Sequence, residues 1–369
     1  MNNEHKKIEH HSSTSFDRAQ DKSLATGEHH SGNHEKPQTG YSLSASILIS
    51  SIILAGAWIY VAGLKYGQGQ PQVQSQAKNQ ATLSALEEKI IPSKGVALPI
   101  KWGDLGAQMV KNGTIDYQKL EAVYANSGGM SAGMKTLLQK SGNGSITMTS
   151  QNSGEILNLL WAFGLANKNP ILENGTMMTY DGAGSPAEAL AKAGRLASTG
   201  GWTIAVGDPM NHYSAHQMVA LTAEQQTLVE NVSKNIYRPC CGNSVYFPDC
   251  NHGMAMLGLL ELMASQGATE EQMYKIALAV NSYWFPETYL TIARYMQNNG
   301  IDWNSVSPKT ILGASYSSAQ GYQRIQALVA PEPSTRSQGG CGVDAGQPPR
   351  ETSGQAPQPQ QQQGGCGVQ

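Results

Sequence analysis

The chain has 369 residues and a formal net charge of −2 at pH 7, which gives no support for nucleic-acid binding, because that function needs a basic surface. Only 14% of the residues are charged, against about a quarter in ordinary soluble domains. The five cysteines are an odd number, so at least one thiol is free, metal-bound or paired between chains.

Residues 1–41 form a polar segment with no periodic apolar pattern, and we expect it to be disordered. A histidine-rich tail of this kind can bind metal weakly, although it can equally be a solvated tail with no ligand. Six of the nine histidines lie here: His5, His10, His11, His29, His30 and His34.

Residues 42–65 predict a single transmembrane helix. No charged residue occurs between Leu43 and Leu64, and about 20 apolar residues span the hydrocarbon core of a bilayer. A cleavable signal peptide is the alternative, because Ala55, Gly56 and Ala57 resemble a cleavage site. The tail of about 40 residues before the segment is much longer than the charged start of a signal peptide.

Positive charge before this segment sets the expected orientation. Arg18, Lys22 and Lys36 precede it, and basic residues stay preferentially on the inner side of a membrane. We therefore expect a single-pass protein of the cell membrane, with its N-terminus inside and the bulk of the chain extracytoplasmic.

After a Gln-rich spacer at residues 66–96, with a short helix near its end, we expect a mainly helical globular domain at residues 97–330. Helical spacing of apolar residues predicts a helix over Ser153–Ala166. Thr222 with Gln225, and Thr269 with Gln272, have the spacing of capping boxes. Two short apolar stretches, 145–149 and 202–206, are too few to predict a sheet, so the fold class is mainly α.

His212 and His216 are four residues apart. On a helix they would project from the same face at a spacing suitable for two metal ligands. The alternative is a pair of exposed histidines in a polar loop.

The densest group of reactive and metal-ligating side chains lies between two predicted helices. Cys240, Cys241, Cys250 and His252 occur within thirteen residues, and Met254 follows as a weak additional ligand. Cys250 stands at the start of a strongly apolar helix predicted from about Asn251, where the helix dipole stabilises a thiolate.

Three interpretations of this cluster remain open. Sulfur and imidazole donors suit a soft ion such as copper or zinc, although adjacent cysteines are unusual at a tetrahedral zinc site. Cys250 can instead form a redox pair with Cys240 or Cys241. The third possibility is a structural disulfide that closes a loop of about ten residues and contributes about 2.5–3 kcal/mol.

Residues 331–369 are rich in Pro, Gln and Gly and contain the same five residues twice, at 339–343 and 364–368. Each copy places a cysteine, Cys341 or Cys366, between glycines. Two mobile thiols tethered to the domain suit the exchange of a metal ion or electrons with a partner protein. Duplication of a repeat without function is the alternative.

The sequence as a whole predicts a membrane-anchored metal-binding protein whose partners are membrane lipid, a copper or zinc ion and a metal- or thiol-exchange protein. A thiol–disulfide oxidoreductase and a structural envelope module are the alternatives. No nucleophile elbow, P-loop or dinucleotide fingerprint indicates an enzyme.

Overall fold

Apolar spacing and capping residues build most of the helices of this chain. The computed structural model describes residues 69–329, with side chains from residue 80 onward. The helices are α1 Gly69–Ile90, α2 Leu105–Lys111, α3 Tyr117–Tyr124, α4 Ala132–Gln139, α5 Ser153–Ala166, α6 Pro170–Asn174, α7 Thr176–Thr179, α8 Pro186–Ala193, α9 Ala223–Ser233, α10 Asn251–Ser265, α11 Glu270–Trp284, α12 Pro286–Asn298, α13 Pro308–Leu312, α14 Ala314–Ser317 and α15 Ala319–Leu328. The strands are β1 Val96–Gly103 and β2 Asn143–Met148.

Local capping signals correctly predicted several helix starts. Thr222 and Thr269 accept hydrogen bonds from the backbone N–H groups of Gln225 and Gln272, and both complete capping boxes. These contacts satisfy N–H groups that the first helical turn leaves unpaired. The predicted mainly helical fold is confirmed for the described residues.

The two strands pair antiparallel, which differs from the expectation that no sheet forms. Leu98, Ile100 and Trp102 alternate into the core along β1, whereas Pro99 is exposed between them. Proline is tolerated on a strand that has a free edge. Residues 202–206, the other short apolar stretch, form turns instead of a strand.

The central helix is α10, which is buried on all sides. It packs against α5 at two glycines: a Cβ on Gly164 would lie 2.2 Å from the Met254 carbonyl oxygen, and one on Gly258 would lie 2.7 Å from the Leu160 oxygen. This contact brings the two helix backbones close together. It fixes α10, and therefore the cysteine at its N-terminus, inside the domain.

The predicted anchor at residues 42–65 lies outside the described residues and stays a prediction, as do the tails at 1–41 and 331–369. Among residues 69–329, no helix combines the length and the apolar character needed to cross a membrane. The spacer predicted at 66–96 is helical over Gly69–Ile90, so its helix starts earlier than expected.

Candidate metal centre

A buried arginine organises the loop that carries the cysteines. Arg238 is fully buried, and its guanidinium donates to the carbonyl oxygens of Asn243 (3.1 Å) and Phe247 (3.4 Å). It also forms an ion pair of 2.6 Å with Asp249. Because these three acceptors lie along the whole loop, one side chain holds the segment from Arg238 to Asp249 in place.

The arginine also explains the glycine in the first turn of α10. A Cβ on Gly253 would lie 2.7 Å from the Arg238 guanidinium carbon, closer than van der Waals contact allows. The absence of a side chain at this position lets the guanidinium sit beside the helix N-terminus.

Cys250 is the N-cap of α10, and its sulfur accepts a hydrogen bond of 3.4 Å from the Gly253 N–H. The side chain is 3% exposed. The unpaired N–H groups of the first turn and the helix dipole both favour negative charge at this position. The N-cap therefore stabilises the thiolate of Cys250, as the sequence predicts.

Three side chains converge at this helix end. The sulfurs of Cys240 and Cys250 are 3.3 Å apart, and the donor atoms of Cys240, Cys250 and His252 all lie within 4.8 Å of one another. Ligands about 2.0–2.3 Å from one ion have separations of this size. The Cys/His cluster therefore has the geometry to hold a metal ion, and its cysteines are free thiols.

Cys241 belongs to a different group of donors, together with Asp249 and Cys250. Its sulfur is 3.7 Å from an Asp249 carboxylate oxygen. That carboxylate is already engaged, one oxygen by Arg238 and the other by the Asn243 side-chain amide at 2.8 Å. A guanidinium cation beside the carboxylate opposes a second cation, so the group containing His252 is the better metal site.

The neighbours of Cys250 lower its pKa well below the ordinary value. Hydrogen bonds from Cys240 and then Cys241 are the main causes; the charge of Arg238 and a hydrogen bond with His252 add to them, and burial opposes them. The pKa of Cys240 is raised by its hydrogen bonds with the other two thiols and by burial. Both shifts favour thiolate at Cys250 over thiolate at Cys240.

His252 has an incomplete set of polar contacts. The side chain is 2% exposed, and its Nδ1 has no hydrogen-bond partner among the residues that the structure describes. The ring packs against Phe285, with centroids 4.4 Å apart, and edge-on against Trp284 at 5.7 Å. A buried polar atom without a partner costs about 1–3 kcal/mol, so Nδ1 does not help to hold the ring in place.

Met254, the predicted weak ligand, lies in the same helix and is fully buried in the core. Residues two positions apart in an α-helix, such as His252 and Met254, are separated by about 200° around the helix axis. The side chains of His252 and Met254 therefore leave the helix in different directions. Met254 stays a predicted ligand, and none of the described contacts supports it.

His212 and His216 meet, but not on a helix. A turn that follows the short 3₁₀ helix Pro209–Asn211 brings them together, and Nδ1 of His212 lies 3.0 Å from Nε2 of His216. The other ring nitrogen of His212 is 3.1 Å from the Val206 carbonyl oxygen. Burial and the proximity of His212 lower the pKa of His216. This pair is not part of the Cys/His cluster.

Sequence reasoning assigned no role to Arg238 or Asp249, although both stand beside the cysteines. An arginine before Pro239 and an aspartate before Cys250 are ordinary loop residues until the fold buries the arginine and pairs it with the half-buried aspartate. The sequence signal was their nearness to the cysteines: Arg238 stands two residues before Cys240, and Asp249 directly before Cys250.

Comparison of this chain with protein-family models, with curated proteins and with solved structures gave no match. The chemistry of the site therefore rests on its own residues.

Proposed function

We propose that the chain binds one soft metal ion through Cys240, Cys250 and His252. The observation that carries the proposal is the convergence of two sulfurs and one nitrogen of a buried imidazole, all within 4.8 Å of one another. The helix N-terminus and Arg238 support it, since both favour thiolate, the form of cysteine that binds metals.

Copper(I) and zinc(II) are the ions that this donor set suits, because thiolate selects soft and borderline cations. Zinc with three protein ligands takes a fourth ligand, usually water. Cys250 and His252 are almost fully buried, which disfavours an exchangeable water molecule there. Copper(I), which does not require a fourth ligand, is therefore our preferred occupant, with zinc as the alternative.

We further propose that the site works outside the cytoplasm, on a chain anchored by residues 42–65, and that Cys341 and Cys366 exchange the ion with a partner protein. The support is the sequence alone: the apolar segment, the basic residues before it and the repeated cysteines. Protease added to intact cells should remove the C-terminal repeats. Protection of these repeats while the N-terminal histidine segment is cleaved would contradict this orientation.

The two adjacent cysteines provide a matched test of the metal site. Full-length reduced chain is loaded with Cu(I) or Zn(II) against a competing chelator. Cys240→Ser should lower the affinity by more than the 10- to 100-fold typical of changes beside a metal ligand, whereas Cys241→Ser should change it only a few-fold. Equal losses from the two variants, or no binding by the unaltered chain, would contradict the proposal.

A further inference from the structure

The two sulfurs of the proposed metal site are also close enough to react with each other. Cys240 and Cys250 are free, and their sulfurs are 3.3 Å apart. A disulfide needs about 2.05 Å, so the sulfurs must approach by about 1.3 Å. Cys240 lies in the loop before α10, whereas Cys250 is the N-cap of α10, a buried helix. The movement therefore falls mainly on the loop.

A disulfide and the metal ion compete for the same atoms. Two of the three donors in the cluster are these sulfurs, and thiolate, not disulfide, is the form that binds metals. Once the sulfurs are joined, only His252 remains as a ligand. One imidazole does not hold an ion that three donors were needed to bind.

We propose, on the basis of the proposed metal site, that Cys240 and Cys250 form a reversible disulfide and that its formation releases the ion. The cluster would then bind the ion when reduced and free it when oxidised. The two ligand cysteines thereby gain a redox function, which metal binding alone does not require.

A peroxide is the class of oxidant that we assign to this reaction. Cys240 is half-buried and Cys250 is 3% exposed, so the oxidant reaches Cys240 first. In the ion-loaded chain both ligand cysteines are thiolates. The Cys240 thiolate attacks one peroxide oxygen; the O–O bond breaks, a sulfenic acid forms, and the other oxygen leaves as hydroxide, which takes a proton from solvent to form water. The Cys250 thiolate then attacks the sulfenic sulfur, the S–O bond breaks, and the hydroxide that leaves takes a proton from solvent to form a second water.

The balance is two thiolates, one hydrogen peroxide and two protons giving one disulfide and two waters, a two-electron oxidation of the protein. A dithiol reverses the reaction in two exchange steps. Its first sulfur attacks Cys240 and releases the Cys250 thiolate. Its second sulfur then displaces Cys240, so the reductant leaves as a disulfide and both ligands are restored.

Cys241 is the competing partner that the geometry disfavours. Its sulfur faces the Asp249 carboxylate at 3.7 Å and the Asn243 carbonyl at 3.9 Å and lies within 4.8 Å of the Cys250 sulfur, whereas the Cys240 sulfur is only 3.3 Å from the Cys250 sulfur. A pairing of Cys240 with Cys250 is therefore expected to dominate.

The test uses full-length chain in which Cys341 and Cys366 are replaced by serine, so that only three cysteines remain. The ion-loaded chain is titrated with hydrogen peroxide while a chromogenic chelator reports free ion. A protease that cleaves before aspartate then separates Cys250 from Cys240 and Cys241 at Asp249. Mass spectrometry identifies the linked peptides.

We expect one ion released per Cys240–Cys250 disulfide, with recovery of binding after reduction by dithiothreitol. The Cys241→Ser variant should behave the same, and Cys240→Ser should form no such disulfide. His252→Phe should still form the disulfide, which separates the redox step from metal affinity. Release without a Cys240–Cys250 link, or an ion retained after the link has formed, would overturn the redox proposal alone. A reduced chain that binds no ion would overturn the metal site and the release together.

Discussion

Replacement of His252 by phenylalanine separates the role of this side chain as a ligand from its role in packing. Phenylalanine preserves a ring against Phe285 and Trp284, which lie 4.4 and 5.7 Å from the imidazole centroid. It removes both ring nitrogens, including the buried Nδ1 without a hydrogen-bond partner. Alanine would instead leave a cavity, whose cost would be added to that of the lost ligand.

Without metal, two effects of this substitution oppose each other. Removal of the buried unpaired nitrogen relieves about 1–3 kcal/mol, and loss of the contact with Cys250 costs about 0.5–1.5 kcal/mol. The free energy of unfolding should therefore lie between about 0.5 kcal/mol below and about 2.5 kcal/mol above that of the unaltered chain.

Added ion should stabilise the variant much less than the unaltered chain. At an ion concentration of about 100 times the dissociation constant, binding stabilises the native chain by about 2.7 kcal/mol. If the variant binds about 100-fold more weakly, the same concentration stabilises it by only about 0.4 kcal/mol. Urea unfolding of the reduced chain with and without the ion measures both quantities.

His212→Phe is the matched control. It abandons the contacts of His212 with His216 and Val206 and should lower the free energy of unfolding by about 1–3 kcal/mol. The increase in its free energy of unfolding when the ion is added should match that of the unaltered chain. An equal gain in His252→Phe would refute the assignment of His252 as a ligand.

Two further predictions concern the surroundings of the site. Gly253→Ala should destabilise the chain by about 1–3 kcal/mol, because the new Cβ would meet Arg238 at 2.7 Å; Gly144→Ala, with nothing within 4 Å, should cost far less in thermal unfolding. Burial raises the pKa of Glu261 in α10 above 4.5, although hydrogen bonds from Asn167 and Asn169 oppose this. Its contribution to stability is therefore complete below about pH 4.5 and is lost as the pH rises towards the raised value. Glu261→Gln should flatten this pH dependence in urea unfolding, and an unchanged slope would contradict it.

Local signals in the sequence predicted the helices well. The capping boxes at Thr222 and Thr269 and the apolar spacing of Ser153–Ala166 each depend on a few neighbouring residues. The strand β1 was missed, because Pro99 interrupts its alternating pattern and its partner β2 is about 45 residues away. Long-range pairing of this kind leaves little local trace.

The site was predicted in part. The positions of Cys240, Cys250 and His252 around the start of a buried helix indicated their convergence. The assignment of Cys240 and Cys241 to two different donor groups was not predictable, since it depends on where the loop places Asp249. The role of Arg238 depends on its close approach to Gly253 in the first turn of α10, which only the folded chain reveals.

The most direct test of the metal site is X-ray absorption spectroscopy of the reduced full-length chain loaded with copper(I) or zinc(II). We predict one ion per chain, bound by two sulfurs at about 2.3 Å and one nitrogen at about 2.0–2.1 Å, with the nitrogen lost in His252→Phe. An ion bound only by oxygen and nitrogen, or a spectrum that His252→Phe leaves unchanged, would contradict the proposed site.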